Sequence, residues 1–206
     1  MTERTLIRGG IVLTMDATLG ELPSADILIE DDRILAIGPN LSADGARVVE
    51  AKGDIVIPGF IDSHRHTWET SIRTCAPDYA LITYFGSILD KFGPLYRPDD
   101  VFAANQWGSL ECINAGITTL VDWSHIMNTP AHADEAIRGL QATGIRSVFA
   151  YGFPNTSLVD WWFGPDYTGS VLTNSGPEAR RIKAQYFNSD AGLITMGLAT
   201  RGPGFC

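Results

Sequence analysis

Cysteine is scarce in this chain: Cys75, Cys112 and Cys206 are odd in number and far apart. That spacing fits reduced, buried thiols better than a disulfide framework. There is no C-x-x-C, so the zinc deaminases built on H-x-E and P-C-x-x-C are excluded. H-E-x-x-H and G-x-S-x-G are also missing, and Lys52, Lys91 and Lys183 lack the glycine context of a Walker loop. Positive charge is the minority, with 15 Lys and Arg against 24 Asp and Glu, a net charge of −9 and no basic run. This argues against a nucleic-acid surface and gives no reason to expect an anionic membrane partner, which leaves a small molecule. No apolar stretch of about 18 residues occurs, and the start lacks a basic segment followed by an apolar core. Neither membrane insertion nor secretion is indicated, and a cytoplasmic address follows by default. With 45% hydrophobic residues, the 206-residue chain reads as one substantial globular domain, or a small one plus part of a larger one.

What the chain does have is a change of rhythm at Pro58. Before it, Thr5 to Met15, Ala25 to Glu30, Arg33 to Ile37 and Ala46 to Glu50 read as short strands. Asp31-Asp32 is a tight hairpin connection, with further turns at Gly38-Pro39-Asn40 and Ala51-Lys52-Gly53-Asp54. After Pro58 strands alternate with helices, the pattern of a parallel α/β sheet. Helices are predicted over Tyr79 to Phe92, from Arg97-Pro98-Asp99-Asp100 to Gly116, from Thr129-Pro130 to Gly144, and over Pro177 to Phe187. Strands are predicted at Ile117 to Asp122, Ile145 to Gly152 and Leu193 to Ala199.

The segment Ile55 to His66 reads as one buried apolar strand ending in two histidines spaced i, i+2. Successive side chains of a strand point to opposite faces, so His64 and His66 share a face and Arg65 turns away. Two imidazoles side by side suit a divalent metal, zinc first and iron as the alternative. A catalytic zinc needs three protein ligands and an open position, and this segment supplies two.

The run Pro58-Gly59-Phe60-Ile61-Asp62-Ser63-His64-Arg65-His66-Thr67-Trp68-Glu69-Thr70 resembles the first barrel strand and following loop of the metal-dependent amidohydrolase superfamily, in its cytosine deaminase-like and triazine hydrolase-like branch. The resemblance implies an α/β fold: a small N-terminal β-sandwich portion over residues 1–57, then a TIM-like (β/α)8 barrel domain over 58–206. A whole barrel takes about 250 residues, so about four βα units, the first half, are expected here. It also implies a metal-activated water attacking C–N bonds of a heterocyclic small molecule. In that branch the metal is held by the first-strand histidines, a fifth-strand histidine and an eighth-strand aspartate. Only His64 and His66 carry over, and the acid/base residues are expected beyond Cys206. Binuclear members bridge two metals with a fourth-strand lysine; no lysine follows Lys183, which points to the mononuclear members.

Trp68, Arg73 and His125 are the candidate substrate-binding residues, from loops at the C-terminal rim where barrel sites collect. His125 reads equally as a loop residue, Glu69 as structural, and Asp122 as a partner for His125 or a loop cap. His132 reads as a solvated position. Trp161-Trp162-Phe163 is an aromatic cluster for stacking a flat ring or for packing under a loop. Beside the enzyme reading stand two others. One is a non-catalytic fragment; the other is an assembly module in which a second copy, or a separate C-terminal half, covers the open strand edges.

Overall fold

The computed structural model of the chain describes residues 2–152 and 167–199. It divides into two compact units, Met1–Gly59 and Phe60–Cys206.

The first unit is a sheet of five strands, β1 (Arg4–Leu13), β2 (Glu21–Glu30), β3 (Arg33–Gly38), β4 (Arg47–Glu50) and β5 (Ile55–Val56). The order is β3-β2-β1-β4, with β5 also on β1. The β1-β2-β3 meander is antiparallel, whereas β4 and β5 run parallel to β1. Its core is Val12, Ala25 and Ile27, with Ile7, Leu22, Ile29, Ile37 and Val56 packed against them. Asp31, in the two-residue turn between β2 and β3, adopts the left-handed region at φ 50°, which an aspartate tolerates. Asp26 is buried and ties β1 to the loop after β3, accepting from the Gly9 N–H at 2.8 Å and the Leu41 N–H at 2.9 Å.

The second unit is a four-stranded parallel sheet, in the order β6 (Phe60–Arg65), β7 (Ile117–Ser124), β8 (Arg146–Gly152), β9 (Ile194–Ala199). Helices α1 (Leu81–Tyr84), α2 (Pro98–Asn114), α3 (Pro130–Gln141) and α4 (Tyr167–Tyr186) connect and flank it. α1 continues through Phe85–Phe92 as a wider turn with Phe85, Ile88 and Leu89 buried. α2 begins where the sequence predicts, with Pro98 in its first turn and the Asp100 carboxylate taking the Arg97 N–H at 2.9 Å. Leu120, Ile137, Leu140, Phe149 and Ile182 are fully enclosed in the core, each worth about 1.5–3 kcal/mol of burial. Helix contacts depend on missing side chains. A Cβ on Gly139 of α3 would stand 2.7 Å from the Phe102 carbonyl oxygen of α2.

Four expectations change. The apolar segment before the histidines is two strands, because Pro58 has no N–H to donate: β5 pairs with β1 and β6 pairs with β7. β6 is an outer strand, so it is not buried; Phe60 is 57% and Ile61 69% exposed. α4 starts ten residues before Pro177 and runs through it. Cys112 is buried as expected, but Cys75 is exposed. The Trp161-Trp162-Phe163 cluster lies outside the described residues. Among the described residues no helix is long and apolar enough to cross a membrane.

Candidate metal and ligand site

At the C-terminal end of β6 the chain turns directly from His66 into a 3₁₀ turn, Thr67–Ile72. The turn is seated on α2: a Cβ on Gly108 would meet Thr70 Oγ1 at 2.4 Å and Thr67 Cγ2 at 2.8 Å. The buried carboxylate of Asp122, at the end of β7, accepts from the Thr67 N–H at 3.1 Å and from Asn105 Nδ2 at 3.3 Å. Asp122 is therefore a loop cap, and burial raises its pKa against the opposing hydrogen bonds. Arg65 turns to the other side, pairing with Glu111 of α2 at 2.9 Å and approaching Asp62 at 3.8 Å.

His64 and His66 meet edge to face with ring centres 5.0 Å apart. Two imidazoles sharing one tetrahedral ion, with metal–nitrogen distances of about 2.0–2.1 Å, place their ring centres roughly 5 Å apart. His66 Nδ1 lies 2.9 Å from the Trp123 carbonyl oxygen. That acceptor holds the proton on Nδ1 and leaves the Nε2 lone pair free, the state a metal-binding histidine needs. Burial keeps the ring's pKa below the ordinary histidine value, the Trp123 contact opposing and the His64 charge adding. The donor set fits a divalent metal at two positions. Among the described residues no group of three or more His, Cys, Asp or Glu is placed to hold one.

His125 joins this pair. It is buried, stacks on His66 with centres 4.3 Å apart, and takes the indole N–H of Trp68 on its Nδ1 at 3.0 Å. Burial pushes its pKa well below the usual value, with His66 and His64 adding to the effect. Trp68, expected to touch substrate, is instead fully enclosed and stands behind His125. A cavity of about 190 Å³ is lined by His64, His66, Trp123 and His125 together with Phe85 and Leu89, among others.

A second cavity of about 300 Å³ also touches His66 and is lined by Glu69, Arg73 and Tyr84 among others. Arg73 borders it, but its guanidinium is paired with Glu111 and lies 5.0 Å over the Trp107 ring. The Tyr84 hydroxyl donates to Glu69, whose carboxyl burial pushes up to about 7 despite that bond. Tyr84 and Trp123 were not singled out by sequence, since no motif marks a tyrosine in a helix or a tryptophan in a strand as facing a site. His132 is not solvated. It is buried at the start of α3, with Nδ1 2.8 Å from Thr129 Oγ1 and Nε2 2.8 Å from the Tyr96 carbonyl oxygen.

No family model matches the chain. It is 35% identical to a 5-methylthioadenosine/S-adenosylhomocysteine deaminase of Symbiobacterium thermophilum over 207 residues, which is 99% of this chain and 44% of that enzyme. Triazine hydrolase from Arthrobacter aurescens superposes with a TM-score of 0.85 at 24% identity, covering 99% of this chain and 48% of its own. A variant of atrazine chlorohydrolase from Arthrobacter aurescens TC1, complexed with zinc and atraton, gives a TM-score of 0.80 at 25% identity, covering 96% and 47%. The chain thus spans less than half the length of these relatives. It is similar to deaminases and triazine hydrolases of the metal-dependent amidohydrolase superfamily, and corresponds to their N-terminal half.

Proposed function

We propose that this chain is the N-terminal half of a metal-dependent hydrolase that deaminates, or otherwise cleaves a non-peptide C–N bond of, a heterocyclic small molecule. The observation that carries the reading is the His64–His66 pair, with His66 Nδ1 held by the Trp123 carbonyl at 2.9 Å and Nε2 left for a metal. Zinc is the proposed metal, with iron the alternative, and the zinc complex of the atrazine chlorohydrolase variant supports that choice. When bound, it supplies Lewis acidity that activates water near neutral pH. His64 and His66 hold it, the Trp123 carbonyl and the Asp122 carboxylate orient His66 and the turn behind it, and the ring cluster shields the site. In this reading the β6–β9 sheet is the first half of a (β/α)8 barrel over residues 58–206, and residues 1–57 contribute to a composite β-sandwich. The deaminase of Symbiobacterium thermophilum makes a purine derivative the first substrate class to test.

The test is a hybrid in which this chain replaces the matching 44% of the Symbiobacterium thermophilum deaminase. Zinc-dependent ammonia release from 5-methylthioadenosine, abolished by His66→Ala, supports the reading. A folded, zinc-loaded hybrid that releases no ammonia from 5-methylthioadenosine, guanine or a triazine contradicts it.

A second reading applies to the 206 residues taken alone, as a non-catalytic fragment or an assembly module. Its support is that β6 and β9 are outer strands and that Phe60, Ile61 and Leu198 are 57–69% exposed. With two histidine ligands, the isolated chain is expected to show no turnover, and ammonia release in proportion to bound zinc overturns that expectation. Size measurement separates the forms of assembly: a monodisperse monomer counts against pairing of two copies.

A further inference from the structure

Glu69 is the acidic residue of the cavity of about 300 Å³ that also touches His66. Its two carboxylate oxygens are not equivalent. The Tyr84 hydroxyl donates to Oε1, whereas Oε2 takes no hydrogen bond among the described residues and is not sealed from its surroundings. An ionised carboxylate only accepts, so Oε2 offers the cavity an acceptor without a donor.

The charges of the wall make the same point. Arg65 and Arg73 border the cavity, but Glu111 pairs with both guanidinium groups and Asp62 lies 3.8 Å from Arg65. Two cations are thus met by two carboxylates. Glu69 has no cationic partner among the described residues. A largely desolvated carboxylate with one neutral donor is left short of both charge and hydrogen bonds. An ammonium or amidinium group supplies the two together. Ile72, Ala76, Pro77 and Ile88 give the cavity apolar surface for the carbons that carry such a group. His66 and Tyr84 line both this cavity and the one of about 190 Å³ beside His64, so the two adjoin.

We propose that the Glu69 cavity is a subsite for an organic cation, which places an alkylammonium or amidinium group on Glu69 Oε2 and its neighbouring carbons against Ile72 and Ile88. That this cation is a substituent of the substrate rests on the function proposed above; that the cavity binds it rests on the geometry alone.

The test uses the purified, metal-free 206-residue chain with ¹³C-labelled isoleucine methyl groups. It is run at about pH 8, where the Glu69 carboxyl is ionised and an alkylamine is still protonated. Benzylammonium, benzyl alcohol and benzoate have similar shapes and differ in charge. Benzylammonium is expected to shift the Ile72 and Ile88 methyl resonances saturably. Benzyl alcohol is expected to bind at least about 10-fold more weakly, the margin of a hydrogen bond to a charged group over a neutral one, and benzoate to leave both resonances in place. In Glu69→Gln the amide oxygen still accepts from Tyr84, and the advantage of the ammonium over the alcohol is expected to vanish. Benzylammonium that gives no saturable shift, or that binds no better than benzyl alcohol, overturns the subsite in the wild type alone, so a Glu69→Gln chain that fails to fold does not remove the test. A preference for the ammonium that survives in Glu69→Gln overturns it as well. An active hybrid alongside such a result keeps the proposed function and rejects only this inference, whereas saturable, Glu69-dependent benzylammonium binding beside an inactive hybrid keeps the subsite and rejects that function.

Discussion

The main-chain oxygen of Trp123 lies 2.9 Å from His66 Nδ1, while the preceding residue, Asp122, holds the N–H of the following residue, Thr67. Two consecutive positions of β7 thus grip two consecutive positions at the end of β6, one through the ring and one through the backbone. The ring orientation of His66 is a property of the neighbouring strand as much as of its own.

Removing one half of that grip is therefore expected to be costly. In Asp122→Ala the buried Thr67 N–H loses its acceptor, at a cost of about 1–3 kcal/mol, while the Asn105 side-chain amide keeps the Ala136 carbonyl. Urea denaturation should show a loss in that range, with Asp122→Asn losing less because an amide oxygen still accepts. Equal stability of Asp122→Ala and wild type would show that the turn does not depend on the carboxylate.

The seat of the turn on α2 gives an unusual sign. Alanine normally favours a helix over glycine by about 1 kcal/mol, yet at position 108 its Cβ would meet Thr70 and Thr67 at 2.4 and 2.8 Å. Overpacking of this kind costs about 1–3 kcal/mol. Gly108→Ala should lower the thermal midpoint, and a raised midpoint would mean that the turn moves aside freely.

The Asp100 cap yields a pH dependence. Hydrogen bonds from the Arg97 side chain and then its N–H lower this carboxyl to about 2. A depressed folded pKa contributes stability that is fully present above the ordinary carboxylate value and is lost as pH falls through about 2. The cap is largely exposed, so Asp100→Ala should cost only about 0.5–1 kcal/mol at neutral pH. The gap between variant and wild type should close as pH falls from 4 toward 2, within the window set by those two values. Guanidinium midpoints at each pH measure it, and a gap that persists unchanged at pH 2 contradicts this assignment.

Much of the fold was legible because its signals are local. Pro98 with Asp99 and Asp100 starts α2, Gly116 ends the connection into β7, and β7 and β8 lie where apolar β-branched runs predict. The meeting of the His64 and His66 rings was legible because i, i+2 spacing on a strand is a geometric statement. What failed was non-local. Trp68 looks like a rim residue in sequence, but it is buried in the core with its indole N–H on His125, 57 positions away. His132 looks solvated among acidic neighbours until Tyr96, 36 positions earlier, offers its carbonyl. The break between β5 and β6 was visible in Pro58 but outweighed by the apolar run around it. Neither Trp123 nor Tyr84 carries a signal before the strands and helices are assembled.

The most direct test of the account is a zinc titration of the purified 206-residue chain by calorimetry, with His64→Ala and His66→Ala beside it. One zinc per wild-type chain is expected, with affinity lower in either variant by at least about 10-fold, the size of effect that losing even an outer-shell partner produces. Equal zinc affinity in all three proteins, or no saturable zinc uptake by the wild type, contradicts a metal site built on His64 and His66.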